Sequence, residues 1–364
     1  MNISTLTLPL VSNNGGILQA FALKQYLESK GHIVYFINRR YTENRHVRTI
    51  KNIAKRCLRK SVSVSMPRPE HELINQFIFK YISDGEQLCS SKEITNYLKD
   101  NDIKLLIIGS DQVWRLDYSG KLNLTFFSDF KLPKDCKLIS YAASFGKDNW
   151  ENSDHLTKRI RKLLNKFASI SVREASGIDI VKNILDANAE HHIDPTMLLD
   201  RHDYIDLLNR EGEPNIECGL FTYFLDANPS KLAVQSHIQA KIEGNPYHLK
   251  RFGSSAMTPK SKELPSVTNW LNGFRSAKFI LTDSFHACVF SIIFNKPFYV
   301  IGNAERGLTR FKSLLNQFEL ESRLITEDSN LDELAFHSYS YERTNKLLET
   351  ERLKSAEYLN QHIT

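Results

Sequence analysis

The segment Thr282-Asp283-Ser284-Phe285-His286 follows the apolar run Phe279–Leu281 and opens a second apolar stretch of helical length, Phe285–Phe294. That order puts His286 in the first turn of a helix, at the carboxyl end of a buried strand. Backbone N–H groups left open at such a turn, together with the helix dipole, favour an anion, and open α/β sheets collect ligands at these strand ends. An imidazole there can also carry a proton near neutral pH. Three other apolar runs stop in comparable sets: Gly109-Ser110-Asp111, Ser144-Phe145-Gly146 and Arg173-Glu174. If the four ends share one edge, they assemble carboxylates, a guanidinium and an imidazole, the groups needed for proton transfer on an anionic substrate. Each also has a plainer reading. Asp111 and Asp283 suit helix N-caps, Arg173 suits a pairing with Glu174, and His286 alone suits a satisfied core histidine.

Two more clusters belong with these. Asn13-Asn14-Gly15-Gly16 before a helix resembles a phosphate cradle without being a P-loop or GxGxxG, and Gln19 would face it one turn on. Arg306 and Arg310 lie four residues apart at the start of a helix, where they could clamp a carboxylate or phosphate together; Arg310 equally suits a solvated surface charge. Other catalytic templates are missing: there is no Gly-x-Ser-x-Gly elbow, His-Glu-x-x-His or kinase set. His191 and His192 with Asp194 invite a metal reading, but adjacent residues on an extended segment point to opposite faces.

Short apolar runs alternate with helical segments along the chain, the pattern of parallel sheets joined by crossover helices. Strands are expected at Ile3–Leu6, His32–Asn38, Lys104–Ile108, Leu138–Ala142 and Ser169–Val172, with a helix over Ile17–Lys30 stopping at Gly31 and another over Glu70–Ile82. A second set follows: strands at Gly219–Leu225, Tyr247–Lys250, Lys278–Leu281 and Pro297–Ile301, with helices at Ser230–Lys241, Val267–Ser276, Leu308–Phe318 and Glu342–His362. The expected architecture is α/β: two Rossmann-like doubly wound domains facing a cleft. The first spans residues 1–197, the second 198–335, and residues 336–364 form a helix that packs back on the first.

Composition is that of a globular chain: 364 residues, 41% apolar and 25% charged. Five scattered cysteines (57, 89, 136, 218 and 288) with no CxxC pair argue for reduced thiols and a cytoplasmic setting. No basic signal-peptide start and no apolar run near the ~20 residues of a membrane span are present. The net charge of +6 is local, because residues 39–60 hold nine Lys/Arg against Glu43 alone and leave the remainder slightly negative. Apolar residues recur there at helical spacing, so the segment is read either as a basic amphipathic helix on an anionic membrane surface or as a solvated loop. Nucleic acid is disfavoured, since nothing elsewhere interleaves basic and aromatic residues.

As an ordered set, Asn14–Gln19, Gly109–Trp114, Ser140–Gly146, Ser171–Glu174, Asp194-Pro195-Thr196, Thr282–His286, Arg306-Gly307 and Arg310-Phe311 resemble the polysaccharide pyruvyl transferase family over residues 12 to 311. The resemblance implies a glycosyltransferase-B-like arrangement and transfer of pyruvate from phosphoenolpyruvate to a sugar of a surface polysaccharide or its lipid-linked precursor. A ketal forms, phosphate leaves, and no metal or organic cofactor is implied. For that reaction His286 is the expected acid or base, with Asp111 or Asp283 as its catalytic partner. Arg173, Ser284, Arg306, Arg310 and Ser110 would hold the donor, and Asn14, Gly15, Gly16, Gln19 and Ser144 the acceptor glycan. Residues 39–60 would touch the inner membrane face. Several members of the family carry an arginine two residues before the histidine; here Ser284 stands there, so Arg173, Arg251, Arg306 or Arg310 must replace it or the donor differs. The rival readings are a nucleotide-sugar glycosyltransferase of the same architecture and a glycan-binding relative without chemistry.

Overall fold

The computed structural model describes residues 1–41, 71–83, 85–247, 249, 264–302, 308–336 and 339–363. Its first part contains β1 (Asn2–Leu6), β2 (Ile33–Phe36), β3 (Asn38–Arg39), β4 (Gln87–Leu88), β5 (Leu105–Gly109), β6 (Lys137–Tyr141), β7 (Ser171–Val172) and β8 (Glu190–His191). Four of them form a parallel sheet in the order β2-β1-β5-β6. Bridges from Ile139 to Ser169 and from Ala143 to Val172 carry the sheet on to β7, which pairs with β8. β5 is buried along its whole length, as a central parallel strand covered on both faces must be.

The second part repeats the plan with β9 (Cys218–Tyr223), β10 (Ala277–Thr282), β11 (Phe298–Ile301) and β12 (Leu324–Ile325). All are parallel, in the order β12-β11-β10-β9, and Tyr247 bridges to Phe221 on the outer side of β9. Each sheet therefore starts with one strand, places the next beside it, then crosses over to build outward on the other side.

A single apolar core joins the facing sides of the sheets. It runs from Ile3 and Ile107 through the helix Asn14–Ser29 to Trp270, Phe274 and Phe290 of the second part. That first helix is buried from Asn14 through Leu23, which explains its weak amphipathic pattern. It begins three residues earlier than its apolar spacing suggested, because Gly15 and Gly16 belong to its first turn. The last helix, Glu342–Ile363, returns to the first sheet: Tyr358 Oη donates to Ser140 O at 2.8 Å, and Arg352 donates to Met197 O and Leu199 O.

Among the described residues, three helices of ten residues or more were not anticipated from the apolar pattern: Ser91–Asp100, Asp154–Leu164 and Arg201–Arg210. Side-chain caps from Ser90, Ser153 and Asp200 start them. The expected strand at Tyr247–Lys250 is described at Tyr247 and Leu249 only, and the basic segment lies outside the described residues from 42 onward.

Candidate active site

At the end of β10 the chain turns sharply into the helix Phe285–Ile293. Thr282 Oγ1 accepts from Ser284 N at 3.0 Å, and Ser284 Oγ caps the helix by accepting from Ala287 N. His286 then projects from the first turn, 6% exposed. Asp283 does not join it. Its carboxylate accepts from Leu225 N at 2.6 Å, Asp226 N at 3.2 Å and Lys231 Nζ at 2.7 Å, tying down the turn after β9. Asp283 was expected in catalysis; every hydrogen bond found for its carboxylate among the described residues serves its own half of the molecule. Ser284, expected at the donor, is the helix cap.

The partner of the histidine is Asp194, which the sequence offered only in a metal reading with His191 and His192 and as one block of the family motif. Its Oδ2 lies 3.6 Å from His286 Nε2 and accepts from Arg173 Nη1 at 2.8 Å and Ser110 Oγ at 3.3 Å. Thr196 binds the other oxygen through its N–H and hydroxyl, at 3.0 and 2.8 Å. Burial alone would raise this carboxyl, but the imidazole of His286 and the guanidinium of Arg173 hold it well below the usual range. Arg173 also meets Glu174 Oε1 at 3.3 Å and Asp111 Oδ1 at 3.8 Å. Burial would lower its basicity, and the three carboxylates more than offset that. Ser144 Oγ donates to Glu174 Oε1 at 2.5 Å. Asp111 sits in a left-handed turn, φ 62°, rather than at a helix cap, and accepts from Asn13 Nδ2 at 3.3 Å. His191 Nε2 donates to Arg173 O, while His192 pairs with Ser171 Oγ. Both histidines therefore brace the strand that carries Arg173.

Three helix beginnings meet here. A Cβ on Gly15 would come within 2.2 Å of His286 Cγ, so only glycine lets the helix Asn14–Ser29 approach the imidazole. Arg310, in the first turn of the helix Leu308–Gln317, lies 5.6 Å from the centre of the Phe285 ring. Arg173 lies 4.3 Å from the same ring. Burial, and then the nearby Arg173 charge, push the Arg310 guanidinium down to about 10. Thr309 Oγ1 donates to Asp148 Oδ2, and Ala175 N to Ser313 Oγ, which fastens this helix to loops of the first sheet. Asn14 Oδ1 and Glu174 Oε2 are buried there with no hydrogen-bond partner among the described residues, and Arg173 Nη2 and His286 Nε2 have only the longer approaches to Asp111 and Asp194, at 3.8 and 3.6 Å. Such polar atoms are costly to leave unmatched and are the ones that a small polar ligand would satisfy.

A cavity of about 300 Å³ opens beside the cluster and shares Asn13, Gly16 and Asp111 with it. Gln19 also reaches it, although its amide is occupied with Gly16 O and Thr7 Oγ1, supporting the turn. Of the remaining expected residues, Ser110 and Ser144 are fully buried behind the carboxylates. Arg306 and Arg251 lie outside the described residues. In the basic segment, Arg39 donates to Leu88 O and Arg40 to Leu10 O, so these two guanidiniums are used on backbone carbonyls. Among the described residues, no group of three His, Cys, Asp or Glu is placed to hold a metal ion, and no helix is long and apolar enough to cross a membrane.

Two parallel sheets with matching strand order, joined face to face over a polar site, define a Rossmann-like fold of the glycosyltransferase-B type. UGT89C1 of Arabidopsis thaliana, solved with UDP-L-rhamnose, is similar across 100% of this chain and 99% of its own, with TM-score 0.50 and 10% identity. The UDP-GlcNAc 2-epimerase of Methanocaldococcus jannaschii is similar over 96% and 99%, with TM-score 0.43 and 12% identity. None of the curated proteins matches the sequence. The polysaccharide pyruvyl transferase profile matches residues 13–305, most of the chain, and the protein belongs to that family.

Proposed function

We propose that this protein transfers the pyruvyl group of phosphoenolpyruvate to two hydroxyls of a sugar in a surface polysaccharide or its lipid-linked precursor. The observation that carries the reading is the meeting of Arg173, Arg310 and His286 with three helix amino termini around buried, unpartnered polar atoms. Helix termini and guanidiniums suit a donor bearing both phosphate and carboxylate. Arg173 is matched by carboxylates, and Arg310, the helix termini and the His286 imidazole add to the attraction for the donor.

In this scheme His286 gives its proton to the methylene carbon, which becomes a methyl group, and the neighbouring carbon turns electrophilic. A sugar hydroxyl attacks that carbon and its proton passes to Asp111. The carbon–oxygen bond to phosphate breaks with the electron pair on phosphate, which takes the proton from Asp111. The second hydroxyl closes the ketal, and its proton restores His286. Asp194 holds the imidazole in place throughout. The acceptor side belongs to residues 1–197 and the donor side to 198–335, a division supported by the opposite origins of Asp111 and His286. Residues 336–364 complete the first part through the contacts of Tyr358 and Arg352. The work is done in the cytoplasm, with residues 39–60 against the membrane.

Incubation with phosphoenolpyruvate and candidate glycans, followed by mass spectrometry for the pyruvate adduct and an assay of released phosphate, tests the proposal. Thermal stabilisation by a nucleoside diphosphate but not by phosphoenolpyruvate would point to the glycosyltransferase alternative. Glycan binding with no turnover would point to a non-catalytic relative.

A further inference from the structure

The cavity beside Asp111 differs in chemistry from the charged cluster that it adjoins. The apolar turn Leu8–Val11 makes up one part of its wall and Tyr118 and Leu122 another; Ser12, Asn13 and Ser119 add polar groups. Among its described lining residues Asp111 is the only charged one. Both parts are fastened. Arg40 Nη2 donates to Leu10 O at 2.9 Å, and Lys121 Nζ reaches Tyr41 Oη at 3.0 Å and lies over its ring. Tyr118 keeps 55% of its surface exposed and is anchored through its backbone N–H to Arg115 O.

An aromatic plate, apolar sides and a polar floor match a sugar ring, which has a C–H face and a rim of hydroxyls. The volume of about 300 Å³ is at the lower end of small-molecule sites and suits one ring with part of a second. Asp111 puts the only charge on this lining; the guanidiniums next to it, Arg173 at 3.8 Å and Arg115 at 5.9 Å from the Tyr118 ring, are already paired with Glu174, Asp194 and Asp117, so a charged sugar or a second donor molecule is disfavoured.

Resting on the transferase reading above, we infer that this cavity receives the acceptor as an uncharged hexopyranose unit stacked on Tyr118, with a hydroxyl directed at Asp111. The two substrates are then sorted by charge: the anion goes to Arg310 and His286, and the neutral ring to Tyr118. Asp111 stands at the border, 3.8 Å from Arg173, and can take a proton from one side while facing the other.

The test separates the two readings by working without donor. Saturation-transfer NMR is run with methyl glucoside, galactoside and mannoside, and with a methyl hexuronide as the charged control. A signal from at least one neutral glycoside and none from the hexuronide is expected. Tyr118→Ala should weaken that binding about tenfold, and Ser119→Trp, which fills the cavity, should abolish it. Both side chains lie at the surface or half-buried, so circular dichroism melts should match the wild type. Calorimetric binding of phosphoenolpyruvate should stay within about twofold in both variants. Absence of signal from all three neutral glycosides, or a signal that survives Ser119→Trp, overturns the inference. If phosphoenolpyruvate does not bind the wild type while the glycoside signal behaves as described, the donor assignment fails and the cavity assignment stands.

Discussion

Asp194 and Asp283 are two buried aspartates with nearly the same furnishing. Each lies just past a strand, each accepts backbone N–H bonds, and each holds a buried cation: Arg173 for Asp194, Lys231 for Asp283. Yet Asp194 reaches across to the histidine of the other sheet, whereas Asp283 closes a turn within its own. A buried charge pair by itself indicates neither stability nor function. What separates the two is the neighbour on the far side of the cleft.

Substitutions turn that contrast into measurements. The largest effect is expected at His286: alanine there should lower turnover about 10²–10⁴-fold, the usual worth of a positioned acid–base group, with phosphate release as the readout. Next, Asp194→Asn and Asp283→Asn should each cost about 3–5 kcal/mol in denaturant unfolding, since each leaves a buried cation short of its partner. Only Asp194→Asn should also lower turnover by more than about tenfold, because only it touches His286; equal turnover in the two variants would break the comparison.

Acid sensitivity should likewise concentrate in the first sheet. Burial, and then the charges of Lys354 and His191, lower His192 to about 3. Its folded value lies below the unfolded value of about 6.5, so the unfolded chain binds the proton more readily. The stability it contributes is complete above about pH 6.5 and is lost as pH falls toward about 3. Asp194, also held low, adds a loss below about pH 4. Urea melts across this range should show a flatter slope for His192→Asn. The smallest effect is expected for Gly15→Ala, about 1–3 kcal/mol of overpacking against the imidazole, read as a lower melting temperature together with reduced turnover.

Much of this arrangement was legible in the chain. The helix Val267–Ser276 and the position of His286 follow from apolar runs and turn residues alone, because both segments are buried and their pattern is nearly continuous. Arg173, Asp111 and Ser144 were found as strand-end residues. Asp194 was named only beside the two histidines and within a motif, because nothing local to Asp-Pro shows that the fold brings it under Arg173. The bounds of the first helix slipped because a Gly-Gly pair signals a loop, while here it permits contact with a side chain 271 positions away in sequence. Ser-x-x-Glu at Ser90–Glu93 and Asp-x-x-Asp at Asp200–Asp203 were available signals for two of the missed helices.

The return of the last helix to the first sheet sets a condition on synthesis. Tyr358 covers Tyr141 and His192 and bonds Ser140 across 218 residues. While the ribosome is still translating, the earliest strands can pair, but the apolar surface under that helix stays bare until residues 342–363 emerge. Folding of the first half therefore finishes after the second half has been made, and any premature stop would leave this patch open to aggregation.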